Sequence, residues 1–310
     1  MKTKLIVIQL FTLLLTVSCT ESVKVQTRDM EKTYLIVEGL LTDTPGQDQF
    51  VKLSESLPYF DNQTIPKVSG AEVVVSDGTT DILFMERMNE EDGTGTGEYY
   101  APEGFKAEPD RTYSLSVQAT VAGVPHRYSA EAEMPRMGFT LDKIDYSYNG
   151  NTPAKLDSLW TVLMWGQDEL ETTSRFIACI EVNGHRIPIS STLMMEDKYF
   201  NGKKIEAFPI GLLYQTAENQ KNNGPSAKFL EEGDVLTLTG YSLTMEYYEF
   251  LSNLQGDNGM ASMPLLASQP ANPTTNVSGD GDVLGYFAVC PVLTASVTIT
   301  DPFKVIDYKE

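Results

Sequence analysis

Histidine is the usual general base in nucleophilic catalysis, and the sequence offers two candidates, His126 and His185. His126 stands at the start of a strand-like run, and His185 follows the turn dipeptide Asn183-Gly184. Both positions are typical of a strand edge or a turn, so we predict that neither residue is catalytic. Two histidines are too few for a three-histidine zinc site, and no histidine–cysteine pair has metal-ligand spacing. The sequence therefore predicts no catalytic residue, no metal site and no cofactor.

Carboxylates are the other groups that could carry chemistry, and two acidic turns stand out at residues 89–93 and 279–282. Their oxygens could bind calcium, but neither turn has the alternating acids and closing glutamate of an EF-hand loop. We therefore predict solvated turns at both places. A glycoside hydrolase needs two carboxyls about 5–10 Å apart beside a sugar cleft. Because a sequence does not show which carboxyls meet in space, a hydrolase that acts through acidic residues stays open as an alternative.

Aromatic side chains are candidates for ligand contact, since Phe, Trp and Tyr make up 10% of the chain. Several lie at or near predicted loops, where rings can form a platform for a sugar, a peptide or a protein partner. Packing between two sheets is the competing interpretation, because large side chains fill the space inside a β-sandwich. The candidate platform residues are Tyr59, Phe60, Tyr99, Tyr100, Tyr146 and Tyr148.

The beginning of the chain predicts where the protein is sent. Two lysines precede a mostly apolar run at residues 5–17, and the small residue Ser18 stands directly before Cys19. This order is typical of a bacterial lipoprotein signal at residues 1–18, although Thr16 occupies the place where the usual motif has leucine. The run is shorter than the about 20 apolar residues that a membrane-spanning helix needs. We therefore expect a membrane anchor that consists of fatty acids on Cys19.

The other two cysteines, Cys179 and Cys290, lie in apolar, strand-like runs. A disulfide between them is allowed outside the inner membrane. Two buried thiols are the competing interpretation, because cysteine is among the most buried residue types. The sequence leaves both arrangements open.

The chain is strongly acidic, with a formal net charge of −20. This charge argues against nucleic acid as a partner, because nucleic-acid binding needs a basic face. It also disfavours a protein that lies flat on an anionic membrane leaflet. We interpret the acidity mainly as a property that keeps the protein soluble, with cation binding or a basic partner as the alternatives.

Short strand-like runs separated by Gly, Pro and Asp follow a polar tether that we place at residues 19–33. Residues 34–136 contain seven such runs, of which 112–120 alternates apolar and polar residues most clearly. This region is predicted to form an immunoglobulin-like or transthyretin-like β-sandwich.

Residues 137–310 contain further strand-like runs and are predicted to form a second β-rich domain. One short helix is expected there, at about residues 245–255, because apolar residues recur at helical spacing. These residues are Tyr247, Phe250, Leu251 and Leu254. The predicted fold class is therefore mainly β, with two β domains and one helix.

Two groups of short motifs, one near each end of the chain, are specific in combination. The first group is Tyr34-Leu35-Ile36-Val37-Glu38-Gly39, Val51-Lys52-Leu53-Ser54, Pro58-Tyr59, Val68-Ser69-Gly70-Ala71-Glu72-Val73, and the turn at residues 97–100. The second group is Tyr247-Tyr248, Asn272-Pro273, Thr275-Asn276-Val277, Gly279-Asp280-Gly281 and Gly285-Tyr286-Phe287. Over residues 30–305 or so, the chain resembles the family catalogued as domain of unknown function 4249. The resemblance implies a two-part, mainly β lipoprotein of the outer membrane, often encoded beside a TonB-dependent transporter, and it implies no activity.

We therefore expect a non-enzymatic accessory lipoprotein that is anchored at the outer membrane through Cys19. It would bind a ligand or dock on a TonB-dependent transporter during nutrient uptake, and we favour the cell surface over the periplasmic face. Two alternatives stay open, a surface hydrolase that uses acidic residues and a structural or adhesive surface lipoprotein.

Overall fold

The computed structural model of the 310-residue chain describes residues 32–45, 49–57, 64–149, 158–169, 173–187, 193–197, 201–215, 230–259 and 273–307. Strands β1–β17 lie in these residues and enclose two main cores, while helix α1 packs on a third, smaller cluster of buried residues. Within these residues the fold is mainly β with one helix, which confirms the predicted fold class. The predicted leader, Cys19, Tyr59 and Phe60 lie outside the described residues.

The first core is enclosed by a nine-stranded sheet with the strand order β15-β7-β6-β3-β4-β5-β2-β1-β16. β16 pairs parallel with β1, and the other pairs are antiparallel. The strands are β1 (Leu35–Thr42), β2 (Phe50–Glu55), β3 (Glu72–Ser76), β4 (Asp81–Met88), β5 (Gly95–Tyr100), β6 (Thr112–Val121), β7 (Val124–Glu133), β15 (Val277–Gly279) and β16 (Val283–Cys290).

The clearest alternation in the sequence corresponds to β6, as predicted. Tyr113, Leu115 and Val117 are at most 1% exposed, whereas Ser116 and Gln118 face solvent. Successive side chains of a strand point to opposite faces of its sheet, so this pattern buries one face of β6 in the first core.

The two ends of the nine-stranded sheet meet, because β15 contacts β16 and β16 also contacts β7. The side chain of Asn276, the residue before β15, joins β16 to β7 directly. Its Nδ2 donates to the carbonyl oxygens of Phe287 at 2.8 Å and Glu131 at 3.1 Å, and its Oδ1 accepts the Phe287 N–H at 3.0 Å. One side chain therefore satisfies backbone groups of both β16 and β7.

β16 approaches β1 too closely for a side chain at Gly285. This residue has a φ of +97° and lies opposite Val37 in the parallel register. A Cβ atom at this position would collide with the carbonyl oxygen of Val37. Glycine is therefore required here for both its backbone conformation and its lack of a side chain.

The second core lies between two further sheets, in the orders β11-β10-β14-β17, with β12 also paired to β10, and β13-β9-β8. Their inward residues include Trp160, Val162 and Met164 from β9, and Leu236 and Leu238 from β14. The strands are β8 (Phe139–Tyr148), β9 (Ser158–Asp168), β10 (Arg175–Val182), β11 (His185–Arg186), β12 (Leu193–Glu196), β13 (Lys204–Gln215), β14 (Val235–Ser242) and β17 (Val292–Thr298).

Helix α1 spans Met245–Gly259, so it begins where predicted and continues four residues past the expected end. Thr244 caps its first turn, because its Oγ1 accepts the N–H of Tyr247 at 3.3 Å. Tyr247 stacks on Tyr286 of β16 with ring centroids 4.9 Å apart, and Phe250 lies 5.0 Å from the same ring. These aromatic contacts hold the helix against β16.

Segments β15 and β16 come from the region predicted as the second domain, 137–310, yet they belong to the sheet built mainly from 34–136. The cause is the parallel pairing of β16 with β1. Within the described part of the chain, no helix is long and apolar enough to cross a membrane.

Candidate functional site

A cavity of about 200 Å³ opens inside the second core. Its walls come from both facing sheets and are almost entirely apolar. The apolar lining consists of Phe139, Leu141, Met164, Phe176, Ala178, Met195, Ile205, Phe208, Leu238, Gly240 and Leu293. Ligand sites typically combine such apolar walls with a few polar groups that orient the ligand.

Three acidic residues, Asp168, Glu196 and Asp197, complete the lining of this cavity. Asp168 is the last residue of β9, and Asp197 directly follows β12. Their side chains are 2% and 8% exposed, respectively. Two strand ends from different sheets thus bring two acids into one buried place.

Backbone groups hold both aspartates in position. One oxygen of Asp197 accepts the N–H of Ser174 at 2.8 Å, while the N–H of Asp197 donates to the carbonyl oxygen of Ser174 at 3.1 Å. Asp168 is held similarly, since its Oδ2 accepts the N–H of Gly202 at 2.8 Å. These bonds fix one oxygen of each carboxyl.

The remaining oxygen of each aspartate, Oδ1, has almost no accessible surface and accepts no N–H from the described residues. The two carboxyl groups lie within hydrogen-bonding reach of each other. Burial and, secondly, the neighbouring Asp197 raise the pKa of the Asp168 carboxyl to about 6. Near that pH the pair holds one proton between its two carboxyls.

Glu196 is neutralised by a basic neighbour. The Nη2 atom of Arg175 lies 3.0 Å from its Oε1, and both side chains are largely buried. The Arg175 Nε is also buried and has no partner among the described residues. The charge left at this end of the cavity is therefore that of Asp168 and Asp197.

This arrangement favours some chemistries over others. Two carboxyls in hydrogen-bonding contact can share a proton or hold a cation, but they are closer than the about 5–10 Å spacing of glycosidase carboxyls. Among the described residues, no group of three or more His, Cys, Asp or Glu side chains could hold a metal ion. The pair is therefore suited to holding a proton between its two carboxyls.

Four of the six aromatic residues predicted as a platform lie in the described part of the chain, and these four do not come together. Tyr99 is 1% exposed, and its hydroxyl donates to the carbonyl oxygen of Val68 at 2.9 Å. Tyr146 is also 1% exposed and donates to the carbonyl oxygen of Asp301 at 3.0 Å. Both are therefore core residues, in line with the second interpretation that the sequence left open, because their rings fill the two cores and their hydroxyls bond to loop backbone.

Tyr100 and Tyr148, the other two described candidates, are half-buried and belong to different sheets. Tyr100 lies under the guanidinium of Arg87 at 3.8 Å. Tyr148 packs edge-on against Phe303 with centroids 5.2 Å apart. They do not form a common surface, because β5 and β8 enclose separate cores.

The histidines lie where the sequence predicted, at a strand and a turn. The Nδ1 of His126 is 3.0 Å from Oδ1 of Asp280, and the same oxygen accepts the N–H of Arg127 at 2.9 Å. Asp280 thus fastens the turn after β15 to the start of β7. His185 begins the short strand β11, and its Nδ1 lies 3.0 Å from the carbonyl oxygen of Asn183.

Cys179 and Cys290 are both buried and are not joined in a disulfide. Of the two arrangements that the sequence left open, the structure therefore has buried thiols. They line one cavity of about 270 Å³ between β10 and β16, together with Tyr247 of helix α1. The Sγ atom of Cys179 accepts a hydrogen bond from Nη2 of Arg186 at 3.3 Å.

Reasoning from the sequence missed Asp168 and Asp197. Each is an acid at the end of an apolar strand-like run, which is a common place for a solvated turn residue. No spacing signal links them, because they come from different sheets. Only the fold shows that both side chains turn inward.

A family model matches most of the chain, over residues 20–296, and describes a domain of unknown function. No curated protein matches the chain. The matched region contains Asp168, Asp197 and the motifs near both ends of the chain that define the first sheet. The chain belongs to the family described as domain of unknown function DUF4249.

Proposed function

We propose that this protein is an accessory lipoprotein of the outer membrane that binds a small ligand without transforming it. The supporting observation is the cavity in the second core, whose lining is apolar apart from Asp168, Glu196 and Asp197. Ligand sites typically combine such apolar walls with a small number of polar groups.

The anchor in this proposal is Cys19, acylated at the end of the leader. Anchoring confines the protein to two dimensions, where its effective concentration beside a membrane partner reaches about the millimolar range. The proposed partner is a TonB-dependent transporter, to which the protein would bring or hand its ligand. The cell surface is the favoured side of the membrane.

The ligand part of the proposal is tested with the full-length protein extracted from its own membranes. Small molecules released by denaturation are identified by mass spectrometry for the wild type and for Ala178→Leu, whose larger side chain fills the cavity. The exposed substitution Asp142→Asn is the control. We expect a molecule that accompanies the wild type and the control but not Ala178→Leu. The same set of molecules from all three proteins would contradict the proposal.

The transporter part is tested separately by purification from detergent-solubilised membranes. We expect an outer-membrane transporter to accompany the wild type. Recovery of this protein without any outer-membrane protein would count against docking, while it would leave the ligand site unaffected.

A second candidate function, hydrolysis by acidic residues, is favoured by the same aspartate pair. Two carboxyls that share a proton can act as acid and base at one centre. Conversion of the molecule that accompanies the protein would distinguish this function from binding alone. The binding function requires that the extracted molecule is recovered unchanged after prolonged incubation with the protein.

A further inference from the structure

The cavity of about 270 Å³ that Cys179 and Cys290 line, called here the thiol-lined cavity, lies outside the two main cores. Its apolar walls include Leu40 of β1, Ile177 of β10 and Leu251 of helix α1. Among the described residues that line it, Arg186 of β11 alone carries a charge. The thiol-lined cavity therefore combines hydrocarbon walls with one cation, which is the composition of a ligand site rather than of a packing defect.

The side chain of Arg186 reaches from the protein surface into the thiol-lined cavity. Arg186 is exposed as a residue, but its Nη2 donates to Sγ of Cys179 at 3.3 Å, and Cys179 is only 4% exposed. A guanidinium has five N–H donors, and sulfur is a weak acceptor. The bond to Cys179 therefore orients the guanidinium inward and leaves its other donors to water or to a ligand.

No carboxylate of a described residue forms an ion pair with Arg186. Glu181 lies opposite it in the antiparallel pairing of β10 with β11, but the two side chains are not in ion-pair contact. Three other arginines, Arg111, Arg136 and Arg175, are each paired with a carboxylate. Arg186 thus presents an unneutralised positive charge to the cavity in a chain whose formal net charge is −20.

From this arrangement we infer that the thiol-lined cavity binds a small carboxylate with a hydrocarbon body, such as a medium-chain fatty acid. The guanidinium of Arg186 donates two parallel N–H bonds to the carboxylate, a geometry that suits the planar fork of arginine. The hydrocarbon body is removed from water by the apolar walls. This site is separate from the cavity of the second core, so the inference goes beyond the proposed function and does not depend on it.

The volume of the thiol-lined cavity sets the length of the ligand. An apolar cavity of about 150 Å³ in another protein holds benzene, which has six non-hydrogen atoms. In proportion, the cavity of about 270 Å³ holds about ten or eleven. Octanoate, with ten non-hydrogen atoms, is therefore a suitable probe.

Other ligand classes fit this cavity less well. An ammonium ion would be repelled by Arg186, and a neutral alkyl molecule would gain burial without the charge-assisted bonds. A soft metal ion would need thiolates, but burial raises the pKa of the Cys290 thiol above its ordinary value. The two cysteines therefore supply small apolar surface to the wall.

The test is calorimetric titration of the full-length protein at neutral pH with octanoate, octanol and octylamine, which share one chain length and differ in charge. Arg186→Gln removes the cation, and Leu251→Trp narrows the thiol-lined cavity. Leu293→Trp fills the cavity of the second core instead. Lys106→Gln removes one exposed cation as the control. Partition of the probes into detergent affects all variants equally, and near-ultraviolet circular dichroism verifies that each variant is folded.

We expect octanoate to bind the wild type, Lys106→Gln and Leu293→Trp equally, and to bind Arg186→Gln and Leu251→Trp at least about tenfold more weakly. In the wild type, octanol and octylamine are expected to bind at least about tenfold more weakly than octanoate.

Unchanged octanoate affinity in Arg186→Gln, or equal affinity of the wild type for octanol and octanoate, would overturn the inference. A loss in Leu293→Trp but not in Leu251→Trp would place octanoate in the second core, which would overturn the inference while it supports the proposed function. Binding of none of the probes would overturn the inference and leave the extraction experiment to decide the proposed function by itself.

A second measurement needs no variant and so does not depend on whether each one folds. The pKa of the octanoate carboxyl, followed through its ¹³C resonance, is expected to be lower in the bound than in the free probe, because the guanidinium of Arg186 stabilises the anion. A bound pKa equal to or above the free value would show that the carboxyl does not lie beside Arg186, and it would overturn the inference.

Discussion

Asp168 and Asp197 reach one another from strand ends in different sheets, and each has one fully buried carboxyl oxygen that accepts no N–H from the described residues. Structural ion pairs usually satisfy such atoms with a basic side chain. Here the nearby Arg175 is paired with Glu196 instead. The relationship costs stability and provides a polar end to an otherwise apolar cavity.

Replacing Asp168 with asparagine is expected to stabilise the protein at pH 7.5 more than at pH 4.5. The folded pKa of Asp168, about 6, lies above the ordinary value of 3.8, so the native state binds more protons between these values. Stability therefore falls as pH rises through this window, by about 3 kcal/mol at most, and stays constant above it. Urea unfolding of both proteins at the two pH values measures the difference. The exposed substitution Asp142→Asn is the control, and an equal effect of Asp168→Asn at both pH values would contradict the assignment.

Substituting Gly285 with alanine is expected to weaken the first sheet strongly. The new Cβ would collide with the Val37 carbonyl, and alanine disfavours the positive φ, so the loss is at least about 3 kcal/mol. Gly78→Ala is the matched control, because Gly78 has a φ of +85° but open space around it, and its loss is about 1 kcal/mol. The urea midpoints of the two variants measure the difference. Equal losses would show that β16 does not pack against β1 as described.

Asn276→Ala is expected to lower the free energy of unfolding by about 2–4 kcal/mol, because it removes three hydrogen bonds that join β16 to β7. Ser278→Ala is the control, since its hydroxyl is exposed and lies 3.5 Å from the carbonyl oxygen of Ser129. This control is expected to change stability by less than about 0.5 kcal/mol. Similar stabilities for both variants would mean that the sheet ends do not depend on Asn276.

A count of reactive thiols tests the anchor and the buried cysteines together. Burial raises the pKa of the Cys290 thiol above its ordinary value, so the thiolate that reacts with a disulfide reagent is scarce in the native protein. We expect no reaction of Cys179 or Cys290 in native protein from membranes, and two reactive thiols after denaturation. Three would mean that Cys19 is not acylated, and none would mean that Cys179 and Cys290 are bridged. Labelling of the wild type and of Cys19→Ala with radioactive palmitate tests the acylation of Cys19 independently, because label is then expected in the wild type alone.

Local patterns in the sequence predicted the strands and the helix well. The alternation at 112–120 corresponds to β6, and the spacing of Tyr247, Phe250 and Leu251 predicted α1. These patterns are visible because each depends on the burial of one face of a single element. The burial of the tyrosines was harder to predict, because a ring near a loop has the same sequence signature whether it fills a core or faces solvent.

Long-range pairings were not predictable from these patterns. β16 joins β1 from near the other end of the chain, and no local feature of Leu35–Thr42 identifies its parallel partner. The aspartate pair escaped prediction for the same reason. The sequence shows that residues 168 and 197 are acidic. It does not show that Asp168 and Asp197 are buried, because their burial depends on strands from two sheets that enclose the cavity.

The most direct measurement of the central claim is a pH titration of aspartate carboxyl ¹³C resonances by NMR in the wild type and in Asp197→Asn. The account predicts one carboxyl that titrates near pH 6 in the wild type and a lower pKa for Asp168 in Asp197→Asn. Aspartates that all titrate near their ordinary value in both proteins would contradict it.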